Sequence, residues 1–355
     1  MAVLTDEQSM LRDMARVWVH NESPVAAFRR LRDAGSRDGY DPAVWRDIAE
    51  MGWAGIVVPE AYGGSAFGYF ALGLVLEQMG RNLVAAPVGS TAVAATAIAE
   101  GGSDAIKQAW LPKIASGEVV ATIAIDEGPR HDRCYETRVA ANKLTGAKSF
   151  VPDGDGAGAF VVAAADGLYF VDGAASGVTR KRRRVIDARS HAEMRFDGAL
   201  AEKIGDTGLT DRICDLAAVA TSAEMLGIAG QAFEATNAYL KQRVQFGQPL
   251  ASFQALQHRM AKMFTELELM RSAVEAALES IDAGRGDLAE ATSLAKAIAG
   301  DTLHLVSREM IQLHGGIGMT DEHDAGFYLK RSQVLETMWG SAAWHRERFA
   351  RINGY

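Results

Sequence analysis

The period of the hydrophobic residues changes twice along the chain, and these changes constrain the fold more than any other feature. Residues 5 to about 118 carry helical patterns, and the first follows Thr5-Asp-Glu-Gln8, which has the spacing of a capping box. From about residue 119, short runs rich in β-branched and aromatic residues are separated by Gly and Asp, which indicates strands. The helical period returns near Thr210. This order predicts an α+β protein in three parts.

We predict an N-terminal α-helical domain over residues 1–118, a middle antiparallel β-domain over 119–207 and a C-terminal four-helix bundle over 208–355. The middle domain is expected to be a small barrel or sandwich with four recognisable strands: Val119–Ile125, Ala159–Ala163, Leu168–Val171 and Arg189–Phe196. In the third part, one long amphipathic helix follows a predicted N-cap at Ser252, and a second ends at Gly315-Gly316.

Composition and charge exclude several classes of protein. The net charge of −8 argues against nucleic-acid binding, so the basic run Arg180–Arg184 is interpreted as a solvated edge strand. No apolar run approaches the ~20 residues of a membrane span, and the N-terminus does not have the pattern of a secretory signal. The two cysteines, Cys134 and Cys214, lie far apart, and the eight histidines have no metal-ligand spacing. We therefore expect a cytoplasmic protein that binds no metal.

Several local segments are more specific than the order of helices and strands. In the N-terminal part they are Asp41-Pro-Ala-Val-Trp45, Gly52-Trp53, Val58-Pro59-Glu60-Ala-Tyr62-Gly63-Gly64 and Glu77-Gln-Met-Gly80-Arg81. In the C-terminal part they are Arg243-Val-Gln245-Phe246-Gly247-Gln-Pro249 with Phe253-Gln254 and, about 65 residues further on, Gln312-Leu-His-Gly315-Gly316-Ile-Gly318. In this order and spacing, the segments resemble the acyl-CoA dehydrogenase family nearly from end to end.

The resemblance implies an FAD-dependent oxidoreductase that acts on CH–CH groups and introduces an α,β double bond into an acyl-CoA thioester. It also implies a dimer or tetramer, electron transfer to an electron-transfer flavoprotein and a role in fatty-acid or steroid side-chain degradation. In the family, the signature residues reach across a subunit interface to the FAD of a neighbour. A guanidinium suits phosphate oxygens, and glycines let the backbone approach a ligand. The residues implied here are Arg243, Gln245, Phe246, Leu250, Gln254, Gln312, Gly315 and Gly316.

The catalytic base is missing where the family carries it. One common position is a Glu just before a Gly-Thr/Ser pair; counted on from Arg331, it falls on Gly340. The other, 29 residues before Phe246, falls on Ala217. Neither residue can take up a proton. The candidate substitutes are Glu224, Glu336 and Asp215, of which Glu224 has the most apolar neighbours.

The segments that hold the family's own flavin also differ. The loop after the first strand reads Asp126-Glu-Gly-Pro-Arg-His-Asp132, and a strand position with a hydroxyl in the family holds Pro152, which has no N–H. The chain therefore resembles the shorter, base-lacking subunit of bacterial heteromeric members, whose partner supplies the base. Three alternatives stay open: a self-sufficient homo-oligomer that uses Glu224, a non-catalytic scaffold on the same fold, and a flavin enzyme that reacts with oxygen.

Overall fold

Helices occupy both ends of the chain, with most of the strands between them, as the hydrophobic periodicity predicts. The computed structural model describes residues 4–36 and 38–355. The α-helices of this part are α1 (Asp6–Asn21), α2 (Val25–Ala34), α3 (Pro42–Glu50), α4 (Gly68–Arg81), α5 (Val88–Gly101), α6 (Asp104–Ala115), α7 (Thr207–Gln242), α8 (Gln254–Asp282), α9 (Leu288–His314), α10 (Ala325–Thr337) and α11 (Ala342–Ile352). The strands are β1 (Ala121–Ala124), β2 (Arg138–Ala140), β3 (Lys143–Pro152), β4 (Ala159–Ala164), β5 (Gly167–Asp172), β6 (Val178–Arg184), β7 (Ser190–Leu200), β8 (Glu202–Gly205), β9 (Val244–Gln245) and β10 (Gln248–Pro249).

Local chemistry sets where two of the helices begin. Thr5 forms the predicted capping box, since its hydroxyl accepts from the Gln8 amide while its own amide donates to Gln8 Oε1. Ser252 is not the N-cap of α8, so that prediction is wrong. Its hydroxyl donates to the Pro249 carbonyl 2.7 Å away and closes a short 3₁₀ turn, and Phe253 is the residue that precedes the helix.

The chain divides into two compact units. The first, here called the helical unit, takes in the chain up to Ala26 together with Gly73–Val84 and Ala218–Tyr355. The second, here called the strand unit, takes in Ala27–Leu72 and Ala85–Ala217 and contains strands β1 to β8. The division into three domains inferred from the sequence stays a prediction.

The strand unit contains two four-stranded sheets. The first has the order β1-β4-β5-β8, and its strands β1, β4 and β5 are almost wholly buried, whereas the second has the order β2-β3-β7-β6 and is antiparallel throughout. In the first sheet β1 pairs with β4 in parallel, so the prediction of a purely antiparallel domain is wrong at this pair. Strands β2 and β3 lie between them in the chain but belong to the other sheet, and this long crossover brings β4 back in the direction of β1.

The arginine-rich segment forms β6, an edge strand of the second sheet, as predicted. Its side chains are used within the unit: Arg180 donates to the carbonyls of Asp155 and Gly173, and Arg182 donates to the carbonyl of Ser36. Positive charge along an exposed edge also prevents pairing with a foreign strand.

The helical unit is organised around α9, which packs against α8, α10 and α11. The C-terminal region is helical, as predicted, with α11 as a fifth helix beyond the four that were expected. Helix α7 is long and apolar enough to cross a membrane by length and composition, but 94% of its most apolar window is buried inside the protein. Such burial is typical of the core helix of a globular domain.

Helices α4 and α7 touch through their backbones. A Cβ atom at Gly227 would lie 1.8 Å from the carbonyl oxygen of Glu77, and one at Gly80 would lie 2.3 Å from that of Glu224. Only glycine permits this approach. The crossing is reinforced by Arg81, which donates to Gln231 at 3.1 Å and pairs with Glu234.

Candidate functional site

The first C-terminal signature forms a tight hairpin between β9 and β10. Phe246 and Gly247 form its two-residue loop and have φ values of +55° and +80°, the left-handed pair of a type I′ turn. This geometry turns the Phe246 ring outward, where it is 90% exposed. Arg243 is exposed as well, and its carbonyl accepts from the Leu250 amide at 2.8 Å, which closes the base of the hairpin.

The second signature lies where α9 ends. The helix stops at His314, and Gly315 takes a φ of +63°, as a helix-terminating glycine does. Gly315 and Gly316 are exposed, and no atom lies within 4 Å of the place where a Cβ would stand on either. Gln312 is exposed on the last turn. The signature therefore presents bare main chain and one amide side chain to the outside.

Two contacts bring these signatures together. The Tyr239 hydroxyl, one turn before Arg243, donates to the His314 carbonyl at 3.2 Å, and the two rings stack 4.4 Å apart. At the start of α8, Arg259 pairs with Glu309 of α9 at 2.6 Å. The eight predicted cofactor residues therefore lie at one end of the unit and form what we call the motif surface: Arg243, Gln245, Phe246, Leu250, Gln254, Gln312, Gly315 and Gly316.

His314 acts in packing rather than in proton transfer. Its Nδ1–H donates to the Met310 carbonyl at 2.7 Å, and its ring is buried against Tyr239. Burial lowers the pKa of His314 below its ordinary value, so the ring is neutral and can lie in an apolar contact.

The motif surface is also rich in exposed apolar side chains. Val244 is 54% exposed, Ile317 40% and Met319 78%, in addition to Phe246. A monomeric protein seldom leaves several large apolar groups together in water, and such a patch is typical of an interface. The site thus has the chemistry of a surface that a second chain or a large ligand covers.

The loop between α10 and α11 corrects the predicted position of the missing base. Gly340 has a φ of +101°, and Ser341 caps α11 by accepting from the Trp344 amide. Gly340-Ser341 is therefore the Gly-Thr/Ser pair itself, so the residue just before it is Trp339, not Gly340. Trp339 is buried and its indole cannot accept a proton. Ala217, at the alternative position, is a buried methyl group.

Two buried side chains hold this loop in place. Lys296 is fully buried, and its ammonium donates to the carbonyls of Leu335 and Gly340, both at 3.0 Å. On the other side, His345 Nε2 lies 2.9 Å from the Trp339 carbonyl. Burial lowers the pKa of Lys296 to about 7, against the opposing charge of Glu336. The loop is thus fixed by internal hydrogen bonds.

The carboxylates named as substitute bases are all engaged in ion pairs. Glu224 accepts two hydrogen bonds from Arg331, each of 2.9 Å, in the bidentate geometry that stabilises an ionised carboxylate. Glu336 pairs with His304 and Arg308, each at 3.0 Å. Asp215 accepts from Arg133 at 3.0 Å. A carboxylate held in this way is not free to turn toward a substrate, so these contacts argue against Glu224 as the base.

Comparison with known proteins agrees with this geometry. The model of the acyl-CoA dehydrogenase N-terminal domain matches residues 5–118, and that of the acyl-CoA dehydrogenase C-terminal domain matches residues 212–353. Acyl-CoA dehydrogenase IpdE2 of Mycobacterium tuberculosis (strain ATCC 25618 / H37Rv) is 32% identical to the chain over 94% of each. The chain belongs to the acyl-CoA dehydrogenase family.

Two further proteins resemble nearly the whole of this chain, one in sequence and one in structure. Acyl-CoA dehydrogenase FadE34 of the same M. tuberculosis strain is 33% identical over 97% of this chain but only 48% of its own length, so the chain spans about half of that relative. Among solved structures, a variant of the Tcur3481-Tcur3483 steroid ACAD superposes with a TM-score of 0.92 at 29% identity over 98% of both chains.

Acyl-CoA dehydrogenases are FAD-dependent, and the motif surface fits such a cofactor. Arg243 offers an exposed guanidinium for a pyrophosphate, and the Phe246 ring is free to pack against a dinucleotide. No atom lies within 4 Å of a Cβ placed on Gly247, Gly315 or Gly316, so a flat ligand can reach the main chain. These residues would hold FAD from one side.

Sequence reasoning missed three residues that shape this member of the acyl-CoA dehydrogenase family. Tyr239 joins the two signatures through the His314 carbonyl, and Lys296 and Trp339 fix and fill the base loop. The Gly-Ser pair after Trp339 was a usable signal, because a glycine followed by an N-cap serine marks the turn into α11. Lys296 gave no such signal, because a lysine on a helix is expected to be exposed.

Proposed function

We propose that this chain is one subunit of a two-chain acyl-CoA dehydrogenase, in which it completes the flavin site of a partner chain that supplies the catalytic base. The assembly would dehydrogenate an acyl-CoA thioester between the α and β carbons and pass the electrons to an electron-transfer flavoprotein. The substrate class we favour is an acyl-CoA from fatty-acid or steroid side-chain degradation, and we expect a dimer or tetramer in the cytoplasm.

One contrast within the chain carries this proposal. The motif surface, which serves a neighbour's flavin in the family, is open, exposed and complete. The positions that would serve the chain's own substrate hold Trp339 and Ala217, and the nearby Glu224 is neutralised by Arg331. A chain that lost function at random would not be expected to keep only the residues useful to a partner.

The chemistry explains why the base cannot simply be omitted. The α-proton of an acyl thioester is weakly acidic, so its removal needs a carboxylate held within hydrogen-bond distance in a site that excludes water. FAD, when bound, accepts the β-hydrogen as a hydride. In this chain, Arg243 would bind the pyrophosphate and Phe246 would shield the dinucleotide from water, which orients the cofactor without taking part in proton transfer.

The relatives support a paired arrangement. FadE34 is about twice the length of this chain at similar identity, and a polypeptide of that length has room for two units of this size. The Tcur3481-Tcur3483 steroid ACAD carries two names for its parts and is described as a steroid enzyme. A two-chain acyl-CoA dehydrogenase that acts on bulky substrates would account for both observations.

The test is coexpression with an acyl-CoA dehydrogenase chain from the same genome that retains a Glu before its Gly-Thr/Ser pair, ideally from an adjacent reading frame. The single chain should lose FAD on gel filtration, and the complex should keep one FAD per pair and oxidise acyl-CoA. Replacing Arg243 by Ala should weaken FAD retention about 10- to 100-fold, because a hydrogen-bonded charge at the pyrophosphate is lost.

Arg351→Ala is the matched control, since Arg351 is an exposed arginine of the same unit that pairs with Glu347. It should change neither FAD content nor activity. Stoichiometric FAD together with dehydrogenase activity in the purified single chain would refute the proposal. If Arg243→Ala changes neither property of the complex, the scaffold hypothesis is favoured instead.

A further inference from the structure

The loop after β1 is tied down by hydrogen bonds within the strand unit. The Glu127 carboxylate accepts from the amides of Glu136 and Thr137 and from the ammonium of Lys148, which is buried and lies 2.7 Å away. The Asp126 carbonyl accepts from the Ser149 amide at 2.7 Å. In the family this loop offers hydrogen bonds to the flavin ring, whereas here the Glu127 carboxylate and the Asp126 carbonyl bind groups of the protein itself.

Arg133 crosses from this loop to the first turns of α7. Its guanidinium donates to Asp211 at 2.9 Å and to Asp215 at 3.0 Å, and its Nε donates to His131 Nε2 at 3.3 Å. His131 Nδ1 in turn lies 2.7 Å from Asp126. The side chains of His131 and Arg133 are largely buried, and that of Arg133 is 11% exposed. A charged group held on three sides cannot swing away without breaking all three contacts.

A second guanidinium covers the aromatic ring of β3. Phe150 lies in a β-bulge, has a φ of +53° and stands two residues before Pro152, in the segment that packs beside the flavin in the family. The Arg183 guanidinium lies 5.2 Å from the centre of its ring and is fixed by Glu193 at 2.9 Å. Pro152 supplies no donor, and its carbonyl accepts from the buried Thr122 hydroxyl at 2.6 Å.

The charge of the loop cluster also opposes a dinucleotide. The charges of the exposed Arg130 and Asp132 cancel each other. Two cations then face four carboxylates, which leaves a net charge of −2: Arg133 and Lys148 against Asp126, Glu127, Asp211 and Asp215. An anionic pyrophosphate is repelled by such a cluster.

We propose that Arg133 and Arg183, each fixed by carboxylates of the strand unit, close this chain's own flavin-binding segments, so that FAD is held at the motif surface alone. This inference rests on the proposed function and adds to it the residues that exclude a second flavin. The pair of chains is thereby limited to one flavin by side chains that fill the second site rather than by the absence of a few contacts.

Hydrogen–deuterium exchange on the two-chain complex, with and without added FAD, tests the closure without any substitution. Peptides of this chain that cover 243–254 and 312–319 should become protected, and peptides that cover 126–133 and 148–152 should not change. Protection at 126–133 or 148–152 on addition of FAD would overturn the closure. If 243–254 and 312–319 fail to respond, the proposed function itself is wrong, so the two failures can be told apart.

A fourfold variant then tests whether Arg133 and Arg183 exclude FAD from these segments. Arg133→Ser with Asp211→Asn, Asp215→Asn and Arg183→Thr removes both guanidinium groups and the negative charge of the two carboxylates that pair with Arg133. FAD should now protect 126–133, and the affinity of the isolated chain for FAD should rise at least about tenfold. The matched control is Lys203→Ser with Asp166→Asn, an exposed pair of the same unit at 2.9 Å, which should give no such gain.

Equal FAD affinity in the fourfold variant and the control would mean that these side chains are not the barrier. Circular dichroism establishes whether the fourfold variant is folded. If it is not, Arg183→Thr alone is used, because Arg183 contacts the exposed Phe150 and Glu193 at the sheet edge. In that variant FAD should protect 148–152, and an unchanged exchange pattern would overturn the role of Arg183.

Discussion

At the scale of single residues, what matters most is whether a charged group has a partner. Glu224 is a candidate base in the sequence, and Lys296 is a buried ammonium group. Each is nevertheless held by several hydrogen bonds. The groups of the site that a ligand can approach are instead the exposed Arg243 side chain and the exposed backbone of the signature glycines. Pairing therefore separates the residues that stabilise the fold from those that can meet a ligand.

Glu224→Gln should affect stability and leave catalysis unchanged. The substitution removes a bidentate partner of Arg331, whose side chain is 13% exposed, and should lower the free energy of unfolding by about 1–2 kcal/mol. The kcat of the two-chain complex should stay the same. Denaturant titration and steady-state kinetics measure both effects, with Glu347→Gln as an exposed control. A hundredfold loss of kcat at unchanged stability would identify Glu224 as the base.

Lys296 predicts a pH dependence of stability. Its pKa in the folded state is about 7, below the ordinary value of 10.5, so between these values the unfolded chain binds the extra proton. Stability from this group therefore rises with pH across that window, by at most about 1.4 kcal/mol for each pH unit. Urea titrations at pH 7 and pH 9 should show the gain in the wild type and its absence in Lys296→Met. An equal gain in stability in the wild type and in Lys296→Met would contradict the assignment of this pH dependence to Lys296.

At the scale of elements, periodicity alone does not reveal β3, because this strand carries a charged residue on the inside. It buries Lys148 and lacks the alternation of polar and apolar residues that marks a half-buried strand, whereas the edge strand β6 was predicted from its basic run. The long helices were recognised because their apolar residues recur every three or four positions. Exact ends depended on local bonds, as Ser252 demonstrates.

The contact between α4 and α7 gives a prediction at this scale. Gly227→Ala would place a methyl group 1.8 Å from the Glu77 carbonyl oxygen, so the helices must separate, and the free energy of unfolding should fall by about 3 kcal/mol or more. Gly326→Ala in α10 is the control, because no atom lies within 4 Å of its Cβ position. It should raise stability by up to about 1 kcal/mol. Thermal and denaturant unfolding compare the two variants, and equal effects would refute the close packing.

At the scale of the whole molecule, the chain belongs to the acyl-CoA dehydrogenase family and carries an exposed motif surface. Among its exposed apolar groups, Phe246 and Met319 lie at this end of the helical unit, while the loop that carries the base in the family is filled by Trp339 and fixed by Lys296. The ratio of FAD to chains, compared between the assembly and the purified single chain, is thus the property that decides the proposed function.

The sequence by itself determined the family, the order of helices and strands and the residues of the motif surface, because periodicity and local signatures depend on neighbours along the chain. It also indicated that the base was absent. Tertiary structure decided which carboxylates are paired, that Trp339 and Ala217 are buried, and that β1 and β4 run in parallel. These outcomes depend on contacts between residues far apart in the chain, such as Glu224 with Arg331, which no local pattern encodes.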